Sequence, residues 1–355
     1  MHGGQVWYTG HPVIEDLSVT VNPLGVPSSC LDVLRATLST AERYPPLDWE
    51  PARGSLFKFL GLERQRQASV SQLLLGNGAS ELIDTVIRYL CASGARSFTI
   101  GPDAIQYKEY EKTAIRCGMR IARSRGEADV HFLVNPNNPT GSFLSHHEFL
   151  SYITHWCNKK SAVVVDESML PWLGPDWTTE SLLSDVTRIG DLERDFEISV
   201  FVIHSWTKLW SCCGLRIGSV WCPSVYSASR VVSLLVPWNV NVLALAFLQA
   251  AVTDSDYLLK TWRETPRWRS RFIARLRQIG PEWQAYGEDW LPWIWLDVLK
   301  PEVASEFTMA SAESGLPVRP GAMGYGQSSF VRVRVCMPEH QDLLCQAIRN
   351  HSNIV

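Results

Sequence analysis

The sequence predicts an α/β protein: a large domain with a mostly parallel sheet between helices, and a smaller α+β domain made from both termini. Three observations predict it. Short runs such as 130–134, apolar but for His131, and 162–165 alternate with helical patterns, as strands buried on both faces do. Polar residues gather at the ends of those runs, where open parallel sheets place their ligands. From about Tyr257 the pattern changes to a long basic amphipathic helix (Trp262 to Ile279) followed by further strands. The expected division is therefore residues 45–250 for the large domain, and 1–44 with 251–355 for the small one.

A chain of 355 residues is long enough for about two compact units. A net charge of −3 with no basic block argues against a nucleic-acid-binding surface. With 46% hydrophobic and 19% charged residues, the chain is expected to collapse rather than stay disordered. Nine scattered cysteines, odd in number and without a C-x-x-C pair, fit neither a disulfide framework nor a zinc site, so a reducing cytoplasm is expected. His146-His147-Glu148 resembles a metal motif only superficially, because adjacent helical residues point to different faces; no metal is expected. The first five residues lack the basic and apolar regions of a signal peptide. Residues 231–253 carry no charge, but Pro237, Asn239, Asn241 and Gln249 interrupt them. They read as a buried loop and a core helix over 242–252 of a soluble protein, not as a membrane span. Fifteen tryptophans outnumber both the ten tyrosines and the twelve phenylalanines.

In chain order, Gly76-Asn77-Gly78-Ala79-Ser80-Glu81 opens an amphipathic helix marked by Leu82, Val86 and Leu90. The open N–H groups of a helix start, with the Ser80 hydroxyl, suit an anion. The run also resembles a dinucleotide fingerprint, but Glu81 stands where the third glycine belongs, so a nicotinamide oxidoreductase is not favoured. Tyr107 is either a core aromatic or a stacking partner for a planar ring. The strand 130–134 runs into Asn135-Pro136-Asn137-Asn138-Pro139-Thr140-Gly141, whose prolines fix a turn that presents the Asn138 amide, a donor suited to a phenolate oxygen.

Asp166 closes the strand 162–165, and a carboxylate there needs a cationic partner such as a pyridinium nitrogen. The strand 198–203 ends in His204-Ser205-Trp206-Thr207-Lys208. A lysine at the end of an apolar strand is desolvated, which frees its amine to attack an aldehyde cofactor. Ser205, Thr207 and Arg216, the last in Gly214-Leu215-Arg216-Ile217-Gly218, could together hold a phosphate dianion.

Asn-Pro-x-Asn-Pro-Thr-Gly, Asp-Glu after a strand, and Ser-x-Thr-Lys followed by Gly-Leu-Arg-x-Gly resemble, as a set, the fold-type-I pyridoxal-phosphate enzymes of the aspartate-aminotransferase superfamily, class I/II. The resemblance narrows at His2-Gly3-Gly4, Asn22-Pro23-Leu24-Gly25-Val26-Pro27, Arg43-Tyr44-Pro45, Gly76-Asn77-Gly78 and Pro237-Trp238-Asn239-Val240-Asn241. These runs look like threonine-phosphate decarboxylases and the related histidinol-phosphate aminotransferases, and the match spans essentially the whole chain.

The resemblance implies a seven-stranded sheet, pyridoxal 5'-phosphate as cofactor, and a small domain that closes over an amino-acid substrate. It also implies roles. Lys208 would bind the cofactor covalently and shuttle the Cα proton, Asp166 would pair with the ring nitrogen, Asn138 with the ring hydroxyl, and Tyr107 would stack on the ring. Gly78, Ala79, Ser80, Ser205 and Arg216 would hold the cofactor phosphate, joined by Tyr44 from the second subunit of a homodimer. Arg332 would take the substrate carboxylate and Arg319 a substrate phosphate, while His2 and Asn22 would line the substrate side.

Departures from the family pattern cluster around the substrate. Ser168-Met169 replaces the usual Ala-Tyr or Ala-Phe after Asp-Glu, Cys213 replaces a proline, Cys336 a frequent arginine, and Arg334 a small residue. The reading is thus an enzyme acting at Cα of an L-amino acid or amino-acid phosphate, by decarboxylation or transamination through an external aldimine and quinonoid. Cβ or Cγ elimination, replacement or C–C bond formation is the alternative. A non-catalytic cofactor-sensing regulator comes last, since it needs a basic DNA-binding domain ahead of a fold expected to begin at residue 1. The tryptophans about Lys208 (Trp206, Trp210), with Trp172 and Trp238, are expected to be filler or to widen an apolar pocket. Trp7, Trp290, Trp293 and Trp295 fall in the small domain.

Overall fold

The computed structural model describes residues 4, 10, 12–157 and 160–351. Two compact units are present. The larger comprises 26–137 and 144–258, and is built on seven strands. These are β1 (Leu73–Gly76), β2 (Ser97–Gly101), β3 (Arg120–Ile121), β4 (Val130–Val134), β5 (Ala162–Asp166), β6 (Ser199–Ser205) and β7 (Gly218–Trp221). Their order is β1-β7-β6-β5-β4-β2-β3, and β7 alone runs antiparallel to its neighbours. Every residue of β1, β4, β5 and β7 is buried, which explains their mainly apolar sequence, with His131, Asp166 and Ser219 as the exceptions.

The helix Ala79–Ala92 buries Leu82, Val86 and Leu90, the stripe expected from the sequence. The helix His146–Trp156 begins with a capping box in which Ser145 accepts from Glu148 N–H and the Glu148 carboxylate accepts from Ser145 N–H. That is how Glu148 of the metal-like triplet is used. The uncharged stretch 231–253 folds as the end of one helix, a loop, and the helix Val242–Ala251. Among the described residues no single helix is long and apolar enough to cross a membrane.

The smaller unit comprises 1–25, 138–143 and 259–355. Its sheet is antiparallel, in the order β10-β11-β9-β8, with β8 (Gln284–Tyr286), β9 (Trp293–Asp297), β10 (Arg319–Pro320) and β11 (Phe330–Arg334). Alternation divides its faces. Ile294, Leu296, Val331 and Val333 enter a core with Phe272, Leu276, Phe307, Leu344 and Ile348. Trp293, Trp295, Arg319, Arg332 and Arg334 take the opposite face, since residues paired across strands share a side.

The boundaries differ from those expected in three places, the simplest being that residues 251–258 stay with the large unit. Residues 26–44 belong with the large unit, because the helix Ser28–Thr37 packs along the helix Val242–Ala251. Residues 138–143 belong with the small one: the Trp293 indole N–H donates to Pro139 C=O at 2.8 Å, and Glu288 N–H donates to Gly141 C=O at 3.2 Å. Gly141 has φ +76 and backs directly onto Gly287, where a Cβ would lie 2.5 Å from the Gly287 Cα, so glycine is required.

Candidate active site

In the large unit the strand register builds a cradle. Gly218, the first residue of β7, pairs with Gly76 on one side and Ser205 on the other, which brings the ends of β1 and β6 to one level. The chain leaves β1 through Gly78, with φ 78 and ψ 159, a conformation all but confined to glycine. It then enters the helix Ala79–Ala92, which has no side-chain N-cap. A Cβ on Gly78 would lie 2.3 Å from Arg216 Nη2, so the guanidinium rests against this turn. Gly218 is equally constrained, its Cβ position lying 2.5 Å from Ala79 N. Arg216 adopts φ 61 and donates from Nη1 to Cys213 C=O at 3.3 Å. Close by in the chain, the Ser205 and Thr207 hydroxyls are hydrogen-bonded to each other at 2.9 Å. Open helix N–H groups, a guanidinium and paired hydroxyls are the donor set that a phosphate dianion requires.

Lys208 lies three residues beyond β6 in the short helix Trp206–Leu209, half-buried rather than enclosed as a strand-end lysine would be. Its Nζ donates to Cys213 Sγ at 3.9 Å. Asp166 ends β5 and is buried; Oδ1 accepts from Ser168 N–H at 2.9 Å and Oδ2 from the Tyr110 hydroxyl at 2.8 Å. Burial, then the Asp166 charge, raise the Tyr110 phenol well above its ordinary pKa, so it remains a protonated donor. Tyr110 was missed in the sequence, where Tyr107 drew attention instead. Tyr107 is half-buried with its ring edge-on to Tyr110 at 6.3 Å. The signal was the helical spacing of Tyr110, Thr113 and Ala114, which form the buried face of the helix Glu109–Arg116. Ser168, a departure from the family pattern, has a hydroxyl that accepts from Ser205 N–H at 2.7 Å and so ties the ends of β5 and β6.

In the small unit, Arg332 on β11 donates from Nη1 to Asn138 Oδ1 at 2.6 Å and to the Tyr325 hydroxyl at 3.1 Å, and from Nη2 to Ser18 C=O. With its carbonyl oxygen taken, Asn138 turns its NH2 away as a donor. Arg319 is buried on the paired strand β10, donates to Met323 C=O at 2.8 Å and lies 5.9 Å over the Tyr325 ring. Burial chiefly, and then Arg332, lower its pKa.

Asn22 and Tyr44 have structural partners of their own. Asn22 is fully buried; its amide donates to Thr261 Oγ1 at 2.8 Å and its carbonyl oxygen accepts from Leu24 N–H, so it holds a turn. Tyr44 is 78% exposed and stacks on Trp238 at 4.4 Å. His2 and Trp7 lie outside the described residues. Trp206 and Trp210 do not widen a pocket: both are fully buried and pack around Phe59, with Trp177 beside them, in the core beneath the lysine.

Known proteins resemble this chain in sequence and in fold. The family model for aminotransferase class I and II matches residues 14–348. Histidinol-phosphate aminotransferase 2 of Pseudomonas aeruginosa is 28% identical over 357 residues, covering 94% of this chain and 88% of that protein. Threonine-phosphate decarboxylase of Salmonella typhimurium is 29% identical over 283 residues, covering 74% and 71%. In structure, the histidinol-phosphate aminotransferase of Sinorhizobium meliloti in complex with pyridoxal-5'-phosphate matches with a TM-score of 0.78 at 17% identity, covering 96% of this chain and 92% of that one. The chain belongs to the aminotransferase class I and II family.

Proposed function

We propose that this protein, an enzyme using pyridoxal 5'-phosphate, acts at Cα of an L-amino acid or amino-acid phosphate, by decarboxylation or transamination. The observation that carries the reading is the seating of Arg216 against Gly78 at the open start of the helix Ala79–Ala92, in the unit that also holds Lys208 and Asp166. When bound, pyridoxal phosphate supplies an electron sink for negative charge developing at the substrate Cα. The protein's part is placement. Ala79 and Ser80 offer helix-start N–H groups to the cofactor phosphate beside Gly78, whose own N–H donates to Gly76 C=O at 2.7 Å, and Arg216, Ser205 and Thr207 add side-chain donors. Asp166, braced by Tyr110 and Ser168, holds the ring nitrogen protonated. Asn138, its amide set by Arg332, donates to the ring hydroxyl, and Tyr107 stacks on the ring. Lys208 carries the cofactor and then moves the proton at Cα.

Arg332 takes the substrate carboxylate and Arg319 a distal anion. Which Cα bond breaks depends on how these two arginines turn the substrate, a matter of orientation rather than of different catalytic groups. Cβ or Cγ chemistry is the second reading, favoured by Met169 and Cys213, which replace family residues beside Asp166 and Lys208. We further place the protein in the cytoplasm, on nine cysteines none of which is disulfide-bonded, and in a homodimer. The exposed Tyr44, Leu47, Val236 and Trp238, 44–78% accessible, favour a second copy as the partner, with Tyr44 reaching its site. The test is a screen of amino acids and amino-acid phosphates in D2O that follows CO2 release, keto-acid formation and Cα deuteration together. CO2 release, or keto acid formed with the Cβ and Cγ substituents retained, supports the reading; keto acid formed with loss of a Cβ or Cγ substituent supports the second; inertness towards every amine overturns both.

A further inference from the structure

We propose that Tyr325 sets substrate specificity by holding Arg319 and Arg332 as one anion-binding pair, its ring positioning the first and its hydroxyl the second. The inference rests on the reading of these arginines as the substrate's anion ligands. They face each other across β10 and β11, paired in register on the side of the sheet away from its apolar core. Two guanidinium groups so placed repel, and a buried pair needs something between them.

Tyr325 touches both. Its hydroxyl accepts from Arg332 Nη1 at 3.1 Å and its ring lies 5.9 Å from the Arg319 guanidinium carbon. Trp295 holds the ring edge-on at 5.7 Å from the neighbouring strand β9. The loop joining β10 to β11 is built for this placement. Gly324 and Gly326, with φ +96 and +70, flank the tyrosine. At the loop base, Gly321 N–H donates to Phe330 C=O at 2.7 Å, and a Cβ on Gly321 would lie 2.5 Å from the Gln327 carbonyl oxygen. Met323, two residues before the tyrosine, accepts from Arg319. Arg332 Nε is buried and has no hydrogen-bond partner among the described residues, so the pair keeps a donor for an anion.

The two halves of the side chain can be tested separately by calorimetry on the holoenzyme with three probes. O-phospho-L-threonine carries both anions, L-threonine the carboxylate alone, and O-phosphoethanolamine the phosphate alone. Tyr325→Phe keeps the ring and loses the hydroxyl: affinity for the two carboxylate probes should fall about tenfold, with O-phosphoethanolamine unaffected. Tyr325→Leu should weaken O-phosphoethanolamine as well. A general loosening would weaken all three probes alike in Tyr325→Phe, and that result overturns the proposal, as does wild-type binding by both variants. Failure of all three probes to bind the unsubstituted holoenzyme also overturns it. Arg319→Gln and Arg332→Gln separate the layers. If they bind the probes normally, the underlying reading of the arginines fails; if they lose binding while the Tyr325 variants keep it, only the role of Tyr325 fails.

Discussion

Gly78→Ala tests the phosphate cradle, because it perturbs stability and cofactor affinity for different reasons. At φ 78 and ψ 159 an alanine occupies a region that costs of order 1–3 kcal/mol, and this strain is present with or without cofactor. The new methyl would also lie 2.3 Å from Arg216 Nη2 and 2.8 Å from Cζ, inside van der Waals contact, so the guanidinium must leave. Losing its charge-assisted hydrogen bonds to a phosphate costs about 1.5–3 kcal/mol, roughly a ten- to hundredfold loss of affinity. Denaturant unfolding of the apoenzyme should report the first quantity, and titration with pyridoxal phosphate the second. Arg216→Gln should reproduce the affinity loss without the strain. If Gly78→Ala lost stability yet bound the cofactor within twofold of the wild type, Arg216 at the helix start would not be the phosphate site.

Lys208→Ala should bind the cofactor without the covalent link, so that borohydride no longer fixes cofactor to protein; fixation elsewhere would move the role to another amine. Tyr110→Phe leaves Asp166 Oδ2 buried with one donor fewer, which should cost about 1–3 kcal/mol in unfolding free energy and lower turnover. Stability should also fall with acid because of His131, fully buried on β4 with neither ring nitrogen hydrogen-bonded among the described residues. Burial, and secondarily Arg125, push its pKa from 6.5 to about 4. The unfolded chain therefore binds a proton that the folded chain refuses, and about 3 kcal/mol should be lost as pH falls from about 6.5 to 4. A His131→Gln variant whose unfolding free energy kept the same slope across that window would refute the assignment.

How far the sequence was legible depended on how local each feature's cause is. The strands 130–134 and 162–166 could be read directly because burial on both faces demands a mainly apolar run, broken in the first only by His131, and Asp166 because a carboxylate ending such a run needs an explanation. The ligand loops were legible for a similar reason: Gly78 and Gly141 answer to constraints that only glycine meets. Less could be read where a contact spans distant segments. That residues 26–44 join the large unit depends on the helix Val242–Ala251, some two hundred positions away. Tyr110 and Ser168 become functional only once the fold places their hydroxyls against Asp166 and the end of β6.

The tryptophans show how one composition serves two chemistries, because an indole brings a large apolar face and a single N–H donor. In the large unit the faces matter. Trp177, Trp206 and Trp210 surround Phe59 in a buried cluster, and His204 stacks flat on Trp206 at 4.8 Å, so the turn that carries Lys208 stands on a rigid aromatic floor. In the small unit position matters more. Period-two alternation on β9 sends Ile294 and Leu296 into the core and places Trp293 and Trp295 on the arginine face. There Trp293 spends its N–H on Pro139, next to Asn138, while Trp295 braces Tyr325. Both aromatics thus act on the backbone and ring that position polar groups. An apolar residue of similar size at 293 would keep the packing and lose the hold on the Asn138 loop.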